Sequence, residues 1–357
     1  MPLDLAAQRL RNQRILGEVL ARPSEVVGWL GAMQAQDYLG ALWAVGLRGG
    51  RLTERDVEQA LARREIVRTW PMRGTLHFVA AADVGWMREL LAPRVIGRSS
   101  ARERQLKLDD SVFARGRELF TQALHGDRQL TRAAMYQVLE ADGIATAGQR
   151  GLHIIGRLAL EGLLCLAARE GKQPTYALLD EWAPGAPRLD RQAALAELTR
   201  RYFTSHGPAT LQDLMWWSGL TTREAQLGLD LAAEHLKQET IDERRYWRSA
   251  SSPPSAEPAA GLFLLPPFDE YLLGYRDRDA VLNPAHRQQV QSGNNGMFKP
   301  IVVSNGQVVG TWQRLLKRDR AIVTLQPFTA LSAAQRDAFA AEAHRYGQFL
   351  GLPVTLA

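Results

Sequence analysis

The sequence predicts an α+β fold, rich in helix, built as three tandem winged-helix motifs followed by a C-terminal β-rich domain. Three observations predict it. Amphipathic helices followed by two β-prone runs around a turn occur early and recur twice; a Ser/Pro/Ala-rich stretch, 249–260, then interrupts the pattern; beyond it short strand-like runs lead to one closing helix. The segments are 1–85, 86–185 with a basic connecting helix, 186–250, and 251–357. A chain of 357 residues, 46% of them hydrophobic, is long enough for two or three domains with a sizeable core.

The first motif opens with an amphipathic helix to about Leu20 and a second from Ser24, which can N-cap, to about Met33. A third begins at Thr53, where Thr53-Glu54-Arg55-Asp56 has the Thr-x-x-acid spacing of a capping box. Residues 66–70 and 75–79 flank Pro71-Met72-Arg73-Gly74, which predicts the hairpin that forms the wing. Helices over 131–139 and 147–160, a strand over 163–168, a Gly171-Lys172 turn and a strand over 175–179 repeat the outline. The third copy runs from Leu195 through helices at 211–217 and 222–236 to a wing over 239–248. After the break, strands are predicted over 263–265, 296–303, 307–312 and 321–327, with Asn305-Gly306 as a hairpin turn and a closing helix over 331–350.

A formal charge of +6 and a pI near 9.6 favour a polyanionic partner, nucleic acid first. Arginine outnumbers lysine 39 to 5, a ratio that a GC-rich genome also produces, so local clustering says more than the total. Arg88, Arg94, Arg98, Arg102, Arg104 and Lys107 are opposed only by Glu89 and Glu103, at spacings that let several share one helix face.

Other chemistries are excluded in turn. The longest uncharged apolar run, 259–268, is broken by Pro266 and Pro267 and is too short to span a bilayer, and the N-terminus reads as a first helix rather than a signal, so a cytoplasmic protein is expected. Cys165 is the only cysteine, which rules out an internal disulfide or a Cys-x-x-Cys site. The seven histidines stand at least 28 residues apart, no metal-ligand spacing is present, and neither a phosphate-binding loop nor a Gly-x-Ser-x-Gly elbow occurs. No metal and no cofactor are expected. On a strand Asp269 and Glu270 would point to opposite faces, so salt bridging or edge solvation suits them better than a glycosidase acid/base pair. His77 falls inside a wing strand, where a packed histidine is the simpler reading.

Gly31-Ala-Met-Gln-Ala-Gln-Asp-Tyr-Leu-Gly40 places Gln34 and Gln36 two residues apart after an apolar helical run. On a helix such residues diverge by roughly 200°, so one site for both amides needs extended or turn backbone. Two solvated glutamines are the alternative reading.

Gln34-Ala35-Gln36, Arg68-Thr-Trp-Pro-Met-Arg-Gly-Thr-Leu-His77, Pro267-Phe268-Asp269 and Gly310-Thr311-Trp312 together resemble the winged-helix DNA glycosylases of the AlkZ/AlkX type, over nearly the whole chain. That family has three winged-helix motifs and a C-terminal β-domain, removes N7-alkylated purines and unhooks interstrand crosslinks. Its signature is Gln, an apolar residue, then Gln or Asp; this chain has the Gln version. The resemblance implies a metal-free monofunctional glycosylase, acting as a monomer on double-stranded DNA that carries such lesions, nucleoid-associated when bound. Gln36 would be the main holder of the hydrolytic water and Gln34 its orienting partner, with Asp37 and His77 as accessory residues. Arg73, Arg98, Arg102, Arg276, Arg278, Lys299 and Arg314 are the expected DNA contacts. Glutamine is no general base, but an N7-alkylated guanine is already cationic and leaves without protonation, so positioning a water is what remains. A non-catalytic winged-helix regulator that reads undamaged DNA stays open at this point, as does a module that sequesters a genotoxic small molecule.

Overall fold

Local capping sets the first helices. In the computed structural model, which describes residues 4–252, 258–291, 293 and 296–357, α1 (Leu5–Asn12) starts at Asp4, whose carboxylate accepts from Ala7 N–H. It stops short of the expected Leu20 because other side chains take the carbonyls beyond it: Trp29 Nε1 donates to Asn12 O (2.6 Å) and Arg48 Nε to Gln13 O (2.9 Å). Helix α2 (Pro23–Leu30) begins at Pro23 rather than with Ser24 as its cap, since proline at the first helical position costs no hydrogen bond. It ends at Gly31, where φ is 80°, earlier than the expected Met33.

The backbone then runs extended as β1 (Ala32–Gln34) before α3 (Tyr38–Arg48), a helix the sequence pattern did not disclose. From Gly40 to Arg48 every residue of α3 is buried, so it has no polar face to reveal a helical period. Helix α4 (Glu54–Ala62) has the predicted box: Thr53 N–H donates to Asp56 Oδ2 at 2.8 Å, and Asp56 N–H to Thr53 Oγ1 at 3.3 Å.

Contacts divide the chain into two compact units, Ala60–Ala194 and the combination of Met1–Gln59 with Leu195–Ala357. In the first, β2 (Ile66–Met72) and β3 (Thr75–Ala80) form the predicted hairpin, with Arg73 and Gly74 both at positive φ (55° and 76°) as such a turn requires. There follow α5 (Val84–Gln105), α6 (Asp110–Leu124), β4 (Leu130–Thr131), α7 (Arg132–Ala141), α8 (Arg150–Leu160), β5 (Leu164–Glu170), β6 (Gln173–Leu178) and α9 (Leu179–Trp182). Helix α6 was not expected. Its apolar face, Phe113 and Phe120 with Leu124, packs with Met135, Ile154 and Leu158 in the core of this unit. Both wings join one sheet, in the order β3-β2-β5-β6-β4, and β2 meets β5 antiparallel at Arg68 and Leu166.

The other unit continues with α10 (Arg191–Ser205), α11 (Leu211–Ser218), α12 (Thr222–Leu231) and the hairpin β7 (Leu236–Ile241) and β8 (Arg244–Ser249). Helix α12 ends at Leu231, not Leu236, because residues 233–235 tighten into a 3₁₀ turn that feeds β7. Of the predicted linker, residues 253–257 lie outside the described residues. Next come β9 (Leu262–Leu265), α13 (Glu270–Leu273), α14 (Arg287–Val290), β10 (Ile301–Ser304), β11 (Gln307–Leu316), β12 (Ala321–Pro327), α15 (Ala333–Leu350) and β13 (Val354–Leu356). They build a sheet in the order β13-β12-β11-β10-β9, with Asn305-Gly306 as the predicted turn and β13 parallel to β12. The expected strand over 296–303 is shorter, starting at Ile301.

Two indoles fix β9. Trp43 Nε1 donates to Leu264 O (2.7 Å) and Trp312 Nε1 to Leu265 O (2.8 Å), while both rings meet Tyr346 edge-on. The loop that leaves β9 is therefore held at its root. Among the described residues no helix is long and apolar enough to cross a membrane.

Candidate active site

The Gln-Ala-Gln segment is non-helical, as two amides serving one site require. Leu30 ends α2, Gln34 closes β1, and Asp37 N-caps α3 by accepting from Gly40 N–H at 3.1 Å. Ala35 is fully buried, Gln34 is half-buried and Gln36 is exposed. The side-chain oxygen of Gln34 is buried without a hydrogen-bond partner among the described residues. A buried acceptor left in this state calls for a donor.

What holds this strand in place comes from far along the sequence. Gln34 N–H donates to Glu270 Oε1 at 3.1 Å, and the other carboxylate oxygen accepts from Trp217 Nε1 at 3.0 Å. Glu270 is buried, and His206 Nε2 lies 3.5 Å from Oε2 without hydrogen-bond alignment. His206 is stacked on Tyr202 at 4.8 Å and its Nδ1 contacts Ser205 Oγ at 2.9 Å, so its ring is fixed on both sides. Tyr275 Oη donates to His206 O at 2.7 Å, and burial pushes this phenol well above the usual range, which keeps the donor proton in place.

The neighbouring carboxylate has a different fate. Asp269 is held by both terminal nitrogens of Arg48 at 2.8 Å, with both side chains out of solvent, and it N-caps α13 through Tyr271 N–H. Salt bridging was expected for this pair of acids, and Asp269 forms it; edge solvation does not occur, since both acids are buried. They diverge because Phe268 takes a left-handed conformation, φ 61°, after Pro266-Pro267, so the two residues start a helix instead of lying on a strand.

Asp37 combines two tasks. Besides capping α3 it accepts from Arg314 Nη2 at 3.0 and 3.1 Å, which ties β11 close to the β11–β12 turn to the residue after Gln36. Gly40 makes this possible: a Cβ there would stand 3.1 Å from Asp37 and 3.2 Å from Pro267. Beyond Arg314 the hairpin exposes Leu315 and Leu316 and turns through Lys317, Arg318 and Asp319, all exposed.

The remaining predicted residues fall into two groups. In the Ala60–Ala194 unit His77 is fully buried; its Nδ1 contacts Thr75 O at 2.9 Å and its Nε2 faces Arg73 Nη2 at 3.4 Å across the wing turn. Arg98 and Arg102 are exposed four residues apart on α5, and Arg102 also donates to Gln149. In the other unit Arg276 and Lys299 are exposed, whereas Arg278 is half-buried, donating to Leu272 O and lying over Trp216 and Phe298. Arg276 and Arg278 border a cleft of about 680 Å³ together with Arg244, Arg245 and Trp247; Gln34, Gln36 and Glu270 do not line it. Sequence reasoning missed that Glu270, with Trp217 and His206 beside it, holds the Gln34 backbone. The available signal was Pro-Pro-Phe-Asp-Glu, which interrupts a strand and supplies a helix cap. Among the described residues no group of three or more His, Cys, Asp or Glu is placed to hold a metal ion.

Comparison with known proteins places this geometry in a family context. A family described as "DNA glycosylase AlkZ-like" matches residues 27–349. The chain is similar to the "Interstrand DNA cross-link repair glycosylase" of Streptomyces sahachiroi, with 28% identity over 328 residues, 86% of each protein. It also superimposes on the solved structure of the Streptomyces sahachiroi DNA glycosylase AlkZ with a TM-score of 0.81, at 24% identity, over 99% of this chain and 98% of that one.

Proposed function

The chain belongs to the AlkZ-like DNA glycosylase family, and from that premise we propose that it hydrolyses the N-glycosidic bond of N7-alkylated purines in duplex DNA, including purines joined across the strands. The crosslink element of this reading is supported by the Streptomyces relative, which is named an interstrand DNA cross-link repair glycosylase. One observation carries the mechanism: the buried, unpartnered carboxamide oxygen of Gln34 on an extended Gln-Ala-Gln segment.

An alkylated N7 already bears positive charge, so the C1′–N9 electron pair passes to the purine without a general acid. The sugar develops oxocarbenium character. A water whose O–H donates to Gln34 Oε1, and which Gln36 steadies from the solvent side, keeps a lone pair free for C1′; its second proton is lost to solvent as the C–O bond forms. Two amides are sufficient for this task, because it asks for orientation rather than proton abstraction. No amine nucleophile is needed, and the product is an abasic site in an intact strand.

In this reading segments 1–85, 86–185 and 186–250 supply helices and wings that meet the phosphate backbone, and 251–357 supplies the β11–β12 hairpin. The exposed Arg98, Arg102, Arg276 and Lys299, with Arg73 at its wing turn, neutralise phosphates, while Arg314 acts indirectly through Asp37. A single copy of the chain carries the whole site.

The test is incubation of the protein with duplex DNA containing N7-methylguanine. Free base and alkali-labile sites are the expected products, released far more slowly by Gln34→Ala and Gln36→Ala variants that still bind the duplex. Sequence-selective binding of undamaged DNA with no base released from any alkylated purine overturns the reading in favour of a regulator.

A further inference from the structure

We propose that Glu270 is the positioning residue of the Gln-Ala-Gln segment, an acceptor-only anchor through which the third winged-helix region sets the orientation of Gln34; the proposal rests on the glycosidic reading above. The geometry is specific. One carboxylate oxygen receives Gln34 N–H at 3.1 Å and the other receives Trp217 Nε1–H at 3.0 Å, so two donors flank the group and both of its oxygens must accept. A carboxylate accepts at both oxygens at once, which a carboxamide cannot do. A glutamine of the same shape sets its NH₂ against one of the two N–H groups whichever way it is turned.

The anchor is itself rigid. Glu270 is buried, the preceding Asp269 is gripped by Arg48 at 2.8 Å, and the Glu270 carbonyl accepts from Gln13 Nε2 at 3.3 Å. Trp217 is likewise buried on α11, whose Asp213 holds the backbone N–H of Arg276 at 2.9 Å. Fixing Gln34 N–H fixes the plane from which its side chain leaves the backbone, and with it the unpartnered oxygen that orients water. Charge-assisted bonds of this kind are about twice as strong as neutral ones, and a displacement of about 1 Å at a reacting group can cost about 10²-fold in rate.

The decisive experiment is a double-mutant cycle on the full chain with N7-methylguanine duplex as the probe. Glu270→Gln should slow single-turnover base release by about 10²-fold with duplex affinity unchanged, and Glu270→Gln combined with Gln34→Ala should be no slower than Gln34→Ala alone. Additive losses, or parallel losses of affinity and rate, overturn the proposal. Trp217→Phe keeps an aromatic ring, though a smaller one, and the carboxylate, and removes one donor. If Glu270→Gln does not fold, the same cycle run with Trp217→Phe decides: slower release in the Gln34 protein but not in Gln34→Ala supports the anchor, and equal slowing in both overturns it. Amide exchange separates this proposal from the function itself. The Gln34 N–H should exchange at least tenfold faster in whichever of the two variants folds, while α3 amides do not change; unchanged Gln34 exchange overturns the anchor even if the wild-type protein releases no base, a result that counts against the glycosidic reading alone.

Discussion

Asp269 and Glu270 are adjacent, equally buried, and held in opposite ways. Asp269 meets a full positive charge on two parallel bonds from Arg48, and every atom of that clamp belongs to the scaffold. Glu270 meets two neutral N–H groups, one of which belongs to Gln34. The difference separates a carboxylate whose loss is felt by the fold from one whose loss is felt by a neighbouring side chain. Removing one partner of a buried ion pair strands a charge, whereas changing an acceptor between two N–H groups misaligns whatever they hold.

The largest effect should come from the scaffold side of this contrast. Arg48→Met leaves Asp269 charged and buried, and urea unfolding should report a loss of about 3–5 kcal/mol. Glu270→Gln should cost less, about 1–3 kcal/mol. If both variants lose stability equally while Glu270→Gln keeps full activity, the contrast is broken. Next in size, Gln34→Ala should lower single-turnover base release by about 10²-fold with no more than a small change in melting temperature. A smaller effect is expected for Arg314→Ala, which deletes a partly buried pair with Asp37 worth about 1 kcal/mol. Hydrogen exchange should then quicken in the turn-side half of the β11–β12 hairpin and in the first turn of α3. Smallest at fixed salt, Arg98→Ala and Arg102→Ala should each weaken binding to all duplexes alike and reduce the salt slope of log K by about one; a change confined to lesion-bearing DNA would instead move these residues into the site.

What the sequence discloses here depends on how far apart the interacting residues lie. Hairpins at Arg73-Gly74 and Asn305-Gly306, and the Thr53–Asp56 cap, are contacts between near neighbours, and their residue types show them directly. The Gln34–Gln36 spacing requires non-helical backbone only if both amides serve one site, and β1 supplies such backbone. Helix α3 was hidden for the reason that makes it central: surrounded on all sides, it has no hydrophilic stripe. Glu270 was hidden because its partners are 236 and 53 residues away, and because it starts α13 after the turn at Phe268 instead of extending β9, which ends at Leu265. Strand β13 escaped for a related cause, since three residues carry too little pattern to register.

The shared sheet of the Ala60–Ala194 unit has a consequence for handling a double helix. Strand β2 runs toward the tip at Arg73-Gly74, and its antiparallel neighbour β5 runs toward the tip at Gly171-Lys172, with Arg68 and Leu166 level between them. The tips therefore stand at opposite ends, and ten residues of strand rise separate them by about 30 Å. A duplex lying across the strands meets one tip only. To touch both, it would have to run lengthwise beside the sheet for close to a full turn, about 34 Å; under the proposed function, two wings in contact with one duplex would therefore measure a length of DNA instead of pinching it.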